Sequence, residues 1–406
     1  MSDTVQAFIQ AHVGDDIPAL LLSAARYPGV DVPFAAEQIA ARRQIRDKLP
    51  AWYADSRLVF PSKTAAEQCS SERTARYKLR LLDGERHLCD LTGGLGVDAY
   101  YFAQKAERVT YVEPSRTCFE AAMYNFSLLQ AGHIGGLPTR AEEAWASVAD
   151  VDVFYVDPSR RREGTRFFAL QDCEPDLTEL LPLLLGKAPK VIAKLSPMLD
   201  IRHTLSLLSG ATAVHVVSVR NECKELLFVW QRDAGAPEPE IHCVNYTADG
   251  TEQAFRFSLA EEQRCTAPLC EQVGTYLYEP NASILKAGAC KQTALRTGAG
   301  KLHVHSHLYT SDTLIAGFPG RAFRVREVIP FHGKTCRTIA RHLPQANVSV
   351  RNFPLTVDEL RKRTRIAEGG DCYLFATTLA GNEKVLICCE KAEALVINDT
   401  SCPRTV

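Results

Sequence analysis

The chain has 406 residues, a formal net charge of -1 and 46% hydrophobic residues. That length suits two or three domains with ordinary globular cores, and the near-neutral balance excludes a polyelectrolyte chain, leaving only local charged patches to recruit a partner. No run reaches the roughly 18 apolar residues of a membrane span, and the opening MSDTVQAFIQAHVGDD lacks the basic and apolar regions of a secretion signal, so a cytoplasmic protein off the membrane is expected.

Residues 1–80 read as helical. Pro18 and Pro33 stand near the start of the apolar-periodic runs DIPALLLSAARY and DVPFAAEQIAARRQIRDKL, where proline suits a first helical turn, and Pro50 closes the second run. From about residue 85, short apolar strands alternate with helix-like stretches. Strands are expected over 87–91, 109–112, 151–156 and 191–195, with another ahead of Glu142 and Glu143. Such alternation specifies a doubly wound parallel sheet. Strands over 213–219 and 225–230 are separated only by RNECK, too short for a crossover helix, so they form an antiparallel hairpin at the sheet edge. AGAPEPE (234–240) reads as a linker. Beyond Gly320 come a strand (FRVREVIPF), a helix (KTCRTIARHL), a strand (VSVRNFP), a helix (TVDELRKRTRIAEGG) and two strands (DCYLFATT and KVLICCE), the order of a small α+β module. The expected division is therefore a helical region 1–80, an α/β domain 81–232, a linker and second region 233–320, and an α+β domain 321–406.

The 14 cysteines include no CxxC pair and no zinc-finger spacing, which reads as reduced, buried thiol rather than a disulfide framework. KLHVHSHLY (301–309) would place His303, His305 and His307 on one strand face. No nearby acid or cysteine completes a metal site there, so a polar strand face is expected and no metal.

CDLTGGLGVDAYYFA (89–103) is a strand, a glycine-rich turn and a helix start. Glycines let a backbone approach a ligand, and a helix N-terminus offers free N–H groups. Asp90 stands at the strand end, directly before Thr92-Gly93-Gly94-Leu95-Gly96. A carboxylate there repels a pyrophosphate but pairs with an ammonium group. It therefore disfavours NAD, whose fingerprint G-x-G-x-x-G is also absent, and favours S-adenosylmethionine, with its α-amino group and sulfonium. Glu113 ends the next strand, 23 residues after Asp90, where a nucleotide fold places a carboxylate on ribose hydroxyls. Glu142 or Glu143 stands where it could reach an adenine edge.

These stretches resemble the class I S-adenosylmethionine-dependent methyltransferases over roughly residues 60–232. The resemblance rests on DLTGGLGVD, Glu113, the DPSR turn at 157–160 and the terminal hairpin. It implies a Rossmann-like sheet of strand order 3-2-1-4-5-7-6, with a helical N-terminal region. Cofactor contacts are expected from Asp90, Thr92, Gly93, Gly94, Gly96, Asp98, Glu113, Pro114, Glu142 and Thr74, Thr92 taking the place of the family's first glycine. Just upstream of DLTGGLGVD, FPSKTAAEQCSSERTARYK (60–78) carries the polar residues Gln68, Ser71, Thr74 and Lys78, which the resemblance implies cover the methionine end of the cofactor. Many amino-group methyltransferases of this class carry Asp/Asn-Pro-Pro and an aromatic after strand 4, where the acid and a backbone carbonyl hold the acceptor amine. By that resemblance Asp157, Pro158, Ser159 and Arg160 align the acceptor, a contribution of several kcal/mol and up to roughly 7–11 in ideal cases. Arg161 and Arg162 would steer or clamp it. The RNA 5-methyluridine branch needs a cysteine just after strand 5, where this chain reads AKLSPMLD (193–200), so direct in-line transfer to nitrogen or oxygen fits better than a covalent pyrimidine route.

SSERTARYK, DLTGGLGVD, DPSRR, KLSP and YEPN are similar to stretches of an uncharacterised bacterial group of these enzymes with a THUMP-like C-terminal domain and a ferredoxin-like neighbour. The resemblance implies RNA, with transfer RNA suspected, as the partner. From Arg321 to Arg365 there are eleven Lys or Arg against Glu327, Asp358 and Glu359. Arg324 and Arg326 on one strand face, with Lys334 and Arg337 at helical spacing, suit a phosphate backbone. A small-molecule acceptor, or a non-catalytic RNA-binding protein on a degenerate methyltransferase fold, are the alternatives.

Overall fold

The structure, a computed structural model, describes residues 1–160, 170, 173–235 and 238–392, with the backbone alone for Arg160. The chain folds as two compact units, Met1–Val214 with Leu226–Pro237, and His215–Glu225 with Glu238–Val406. Part of the expected linker, 236–237, lies outside the described residues.

The first unit opens with helices Asp3–His12, Ile17–Leu22 and Val32–Ile45. The side chains of Ser2, Asp16 and Asp31 each accept a backbone N–H of the first turn, and the latter two helices carry proline at their start. The helix expected over DIPALLLSAARY is shorter than its apolar period. The Ser23 hydroxyl donates to the Leu20 carbonyl, and the chain tightens into a 3-10 turn over Ala24–Arg26. Further on, Ala41, Ile45, Trp52, Leu58 and Phe60 pack with Val97 and Tyr101 in one core. That core pins the helical region against the helix Val97–Phe102 that follows the glycine turn.

The sheet strands are β1 (His87–Asp90), β2 (Arg108–Val112), β3 (Ile134–Leu137), β4 (Val153–Val156), β5 (Lys190–Leu195), β6 (Ala211–Val219) and β7 (Glu222–Gln231). They lie in the order β3-β2-β1-β4-β5-β7-β6, and two further strands, Glu240–Tyr246 and Glu252–Ser258, continue the sheet beyond β6, so the hairpin expected at the sheet edge is not at the edge. β1 to β5 are parallel, and β7 runs antiparallel to β5, Lys190 opposite Gln231. Every residue of β1 and β4 is buried, as expected of strands covered on both faces. The Rossmann-like order that the resemblance implied is therefore present.

In the second unit, β8 (Glu240–Tyr246) and β9 (Glu252–Ser258) form an antiparallel pair. A separate sheet contains β10 (Tyr276–Pro280), β11 (Gly300–Lys301), β12 (Tyr309–Ser311), β13 (Gly320–Pro330), β14 (Gln345–Arg351), β15 (Ala367–Thr378) and β16 (Lys384–Lys391). Its order is β11-β12-β10-β13-β16-β15-β14, with β14 and β15 the parallel pair. Phe323, Phe375 and Ile387 enter one core, and Leu374, Leu386 and Leu360 another, the alternation that a strand imposes on its two faces.

Further expectations need correction. The helix of TVDELRKRTRIAEGG ends at Thr364: a capping box of Thr356 and Glu359 starts it, Arg365 closes it at φ 62°, and β15 begins at Ala367. His303, His305 and His307 share no strand; they occupy the turn between β11 and β12, closed by Leu302 N–H on the Leu308 carbonyl at 3.0 Å. Arg326 sits at a bulge, where Val325 opposes Cys389 and Glu327 opposes Cys388, so simple alternation from Arg324 is interrupted. All cysteines among the described residues are free, but only Cys89, Cys243, Cys388 and Cys389 are buried. Among the described residues no helix is long and apolar enough to cross a membrane.

Candidate active site

A cavity of about 390 Å³ lies beyond the C-terminal ends of β1, β2 and β4, the usual ligand position of an open α/β sheet. Its floor is the turn after β1. Gly94 and Gly96 have φ 51° and 82°, in the left-handed region that side chains disfavour. A Cβ on Gly93 would come within 2.1 Å of the Tyr111 ring, and one on Gly96 within 2.6 Å of Phe126. Tyr111 also donates its hydroxyl to the Gly94 carbonyl at 2.5 Å. The turn is therefore pressed onto β2 and its helix, with its backbone facing the cavity.

Glu113 fastens the turn from outside. Its Oε2 accepts the Gly94 N–H at 2.9 Å and its Oε1 the Ser115 N–H at 2.7 Å. Thr92, standing where the resembling family has glycine, accepts the Asp157 N–H on its Oγ1 at 2.6 Å. That bond joins the glycine turn to the turn after β4. The Asp157 carboxylate makes an ion pair with Lys194, near the end of β5.

Asp90 and Asp98 are both buried carboxyls, and their surroundings differ. Asp98 accepts from Lys78 Nζ at 2.9 Å, Ser70 at 2.7 Å and Tyr155 at 2.8 Å. Burial alone would push it up, but the Lys78 and Lys194 ammonium groups and the bonds from Lys78 and Ser70 hold it below the ordinary carboxylate range. Asp90 accepts one N–H, from Thr92 at 3.1 Å, and its Oδ2 has no partner among the described residues. Burial first, then repulsion by Asp98, Asp157 and Glu113, raises its pKa well above the ordinary value. A buried carboxyl that lacks a counter-charge calls for a cationic ligand.

The remaining lining defines the mouth. Ala65, Gln68, Cys69 and Ser70 come from the segment ahead of the sheet; Pro114, Arg140, Glu142, Ser159 and Glu174 complete it. Arg140 is ion-paired with Glu174. Of the two acids after β3, Glu142 lines the cavity, and Glu143 accepts the Thr139 hydroxyl at 2.5 Å. Ser71 caps the helix Glu72–Lys78, and Thr74 is buried with its hydroxyl on the Ser71 carbonyl, so neither lines the cavity. Burial pushes the Cys69 thiol up, away from nucleophilic thiolate. Ser159 and the Arg160 backbone pair with Glu174 and Cys173 in a short antiparallel ladder. The Arg160 side chain, Arg161 and Arg162 lie outside the described residues. Lys194, Ser70, Tyr155 and Arg140 were missed in the sequence. Lys194 carried a signal: it is a lysine near the end of the otherwise apolar strand VIAKL.

S-adenosylmethionine fits these residues. Its ammonium and sulfonium suit the orphaned Asp90 oxygen and the surrounding acids, and the bare glycine ridge leaves room for its body. The same acids would repel the pyrophosphate of NAD.

In the second unit, Lys334 and Arg337 are exposed on the helix Gly333–Thr338, Arg324 is exposed opposite Glu390, and Arg326 is ion-paired with Glu390. Among the described residues no group of three or more His, Cys, Asp and Glu could hold a metal.

Two family models match the C-terminal half: a ferredoxin-like domain over residues 276–319 and a THUMP domain-like family over 320–391. A crystal structure from Porphyromonas gingivalis W83, described as a methyltransferase, is 36% identical; the match covers 96% of this chain and 98% of that one, with a TM-score of 0.87. Two uncharacterised S-adenosylmethionine-dependent methyltransferases of Mycobacterium tuberculosis, from strains CDC 1551 / Oshkosh and ATCC 25618 / H37Rv, are each 26% identical over 83% of this chain and 90% of their own length.

Proposed function

Because the chain belongs to the S-adenosylmethionine-dependent methyltransferases and ends in a THUMP-like domain, we propose that it methylates a nitrogen or oxygen of RNA, with transfer RNA the favoured class. The observation that carries this reading is Asp157. It stands at the rim of the acidic cavity, tied to the glycine turn through Thr92 and held by Lys194.

Asp90, Thr92, Gly93, Gly94 and Gly96 form the cofactor floor in this reading, with Glu113, Pro114 and Glu142 along its nucleoside side. Asp98 also lines the cavity, where it holds Lys78, Ser70 and Tyr155 and so positions the covering segment. Thr74 likewise supports the covering helix without reaching the cavity. Bound there, S-adenosylmethionine supplies an electrophilic methyl group. Asp157 accepts a hydrogen bond from the acceptor N–H or O–H and so points its lone pair at that methyl, while Pro158 and Ser159 hold the turn. Lys194 keeps the Asp157 carboxylate in one orientation. Catalysis on this account is alignment, worth several kcal/mol. The stretch after β5, residues 196–200, holds no cysteine, which supports direct transfer over a covalent route. Arg160, Arg161 and Arg162, next along the chain, are proposed to contact the acceptor strand, and Arg324, Arg326, Lys334 and Arg337 to meet phosphates.

The test is mass spectrometry of nucleosides from RNA incubated with the cofactor and either the protein or Asp157→Ala. A methylated nucleoside that depends on the protein and is lost in the variant is expected. Wild-type methylation by the variant would sink the alignment role. A protein that methylates a metabolite extract and leaves RNA untouched would sink the RNA reading.

A further inference from the structure

YEPN (278–281) has no part in the methyl-transfer site, yet its acid is buried to 1% exposure in the second unit. Glu279, on β10, takes two arginines from different strands. Arg321, at the start of β13, donates Nε to Oε2 at 3.0 Å and adds Nη2 to the same oxygen. Arg351, at the end of β14, donates Nη2 to Oε1 at 2.9 Å. The carboxylate is hidden and the guanidiniums are not: the arginine side chains are 43% and 39% exposed. One buried negative charge thus orders two half-exposed positive ones, leaving a net positive triad with outward N–H edges.

Those edges are under-used. Arg351 Nη1 makes only a 3.4 Å contact with the Val350 carbonyl, while its Nε is buried and points away from solvent. Arg321 stacks on Phe323 at 5.4 Å, which further limits its motion. The histidine turn stands alongside. Asn352, next to Arg351, bonds His303 Nδ1 at 2.9 Å, and the His305 backbone N–H donates to the same nitrogen at 3.1 Å. With Nδ1 an acceptor, the His303 proton sits on Nε2, which becomes a donor. Asn352 and His307 both hold φ 51°, backbone strain of a kind that clusters at binding sites. The local field is positive: burial, then Lys301, His305 and Arg351, lowers His307 to about 4.

We propose that Arg321 and Arg351, clamped by Glu279 and flanked by His303 and His305, bind a backbone phosphate of the RNA substrate. Planar guanidiniums held at fixed angles match phosphate oxygens in pairs, which freely moving lysines do not. The proposal rests on the RNA reading and gives that reading a specific grip, separate from the exposed cations of the helix Gly333–Thr338.

The experiment is fluorescence anisotropy of labelled transfer RNA with the full-length protein over a salt series, using wild type, Arg321→Gln, Arg351→Gln and Glu279→Gln. Each arginine variant should weaken binding roughly tenfold and lower the slope of log affinity against log salt by about one, with S-adenosylhomocysteine affinity unchanged. Glu279→Gln discriminates most sharply. It adds net positive charge, so a diffuse basic patch predicts tighter binding, whereas a clamped pair predicts weaker binding. Arginine variants that melt like wild type and bind RNA with wild-type affinity and slope overturn the site and leave the RNA reading standing. A wild-type protein that binds no RNA at low salt overturns both. Should Glu279→Gln fail to fold, the two arginine variants decide alone.

Discussion

Asp90→Asn separates what the Asp90 carboxyl does for the cofactor from what it costs the fold. Burial, followed by repulsion from Asp98, Asp157 and Glu113, raises its folded pKa. An acid raised in this way destabilises the fold: the penalty begins above its unfolded pKa of about 3.9 and grows until pH passes the folded value. Asparagine keeps the shape and the acceptor for the Thr92 N–H, and drops the charge. Leaving a buried polar group unsatisfied costs about 1–3 kcal/mol, part of which the amide retains. At pH 7 the ligand-free variant should therefore gain about 1 kcal/mol, or roughly 2–4 °C in Tm for a unit of this size. Near pH 4 the gain should disappear, because the wild-type carboxyl is then protonated. Cofactor binding should move the other way. A charge-assisted hydrogen bond is worth about 1.5–3 kcal/mol, so affinity for S-adenosylhomocysteine should fall roughly 10- to 150-fold. Calorimetric melts at both pH values and isothermal titration read the two effects separately. A variant that melts below wild type without ligand, yet binds S-adenosylhomocysteine at wild-type affinity, would refute the reasoning on both counts.

Asp98→Asn should be severe, because it strands the fully buried Lys78 ammonium; losing one partner of such a pair costs about 3–5 kcal/mol, readable in urea unfolding. The pKa of Asp98 is lowered in the fold, so its stabilisation is present above the unfolded value of about 3.9 and is lost as pH falls through the folded one; the variant's stability should decline less with acid than the wild type's. Gly93→Ala drives a Cβ to 2.1 Å from the Tyr111 ring and should cost about 1–3 kcal/mol, so an unchanged unfolding midpoint would contradict the turn's packing. Thr92→Val strands the Asp157 N–H and should cost about 1–3 kcal/mol and slow methyl transfer, whereas Thr92→Ser keeps the acceptor; equal rates in the two variants would remove Thr92 from the acceptor turn's support.

The sheet was readable because its strands are buried on both faces and stand out as short apolar runs, and because RNECK is too short for anything but a hairpin. Asp90, Glu113 and Asp157 were readable for a related reason: in this topology a polar residue at a strand's C-terminal end faces the ligand crevice. Partnerships across the chain were not. Thr92 looks like a tolerated departure from glycine until its hydroxyl is found on the Asp157 N–H, 65 residues away. Lys78 reads as a polar residue over the methionine end of the cofactor, and its burial against Asp98 depends on how the N-terminal helices pack. Local pattern misled in two places. His303, His305 and His307 alternate like strand residues but sit in a turn, because left-handed backbone at His307 carries no periodic signature. The helix period ran on past Thr364 into RIAEGG, where Arg365 in the left-handed conformation ends the helix without a glycine.

Charge pairing in the cavity bears on how an RNA acceptor would be held. Lys78 pairs with Asp98, Lys194 with Asp157 and Arg140 with Glu174. Among the described residues that leaves Asp90, Glu113 and Glu142 lining the cavity without an ion pair. Unpaired acids attract an ammonium and a sulfonium and repel a phosphodiester, so a nucleotide entering there would present its neutral base or hydroxyl and keep its phosphates outside. The positive balance of the Arg321–Glu279–Arg351 triad is the complement of that constraint. Under the RNA reading the two activities should then separate by ionic strength. Phosphate contacts release counterions and weaken steeply with salt, whereas a cofactor whose ammonium group is held against a buried carboxyl is screened far less. Raising salt from about 50 to 200 mM should therefore weaken RNA affinity by orders of magnitude while S-adenosylhomocysteine affinity changes little, and parallel losses of both would refute the separation of the two contacts.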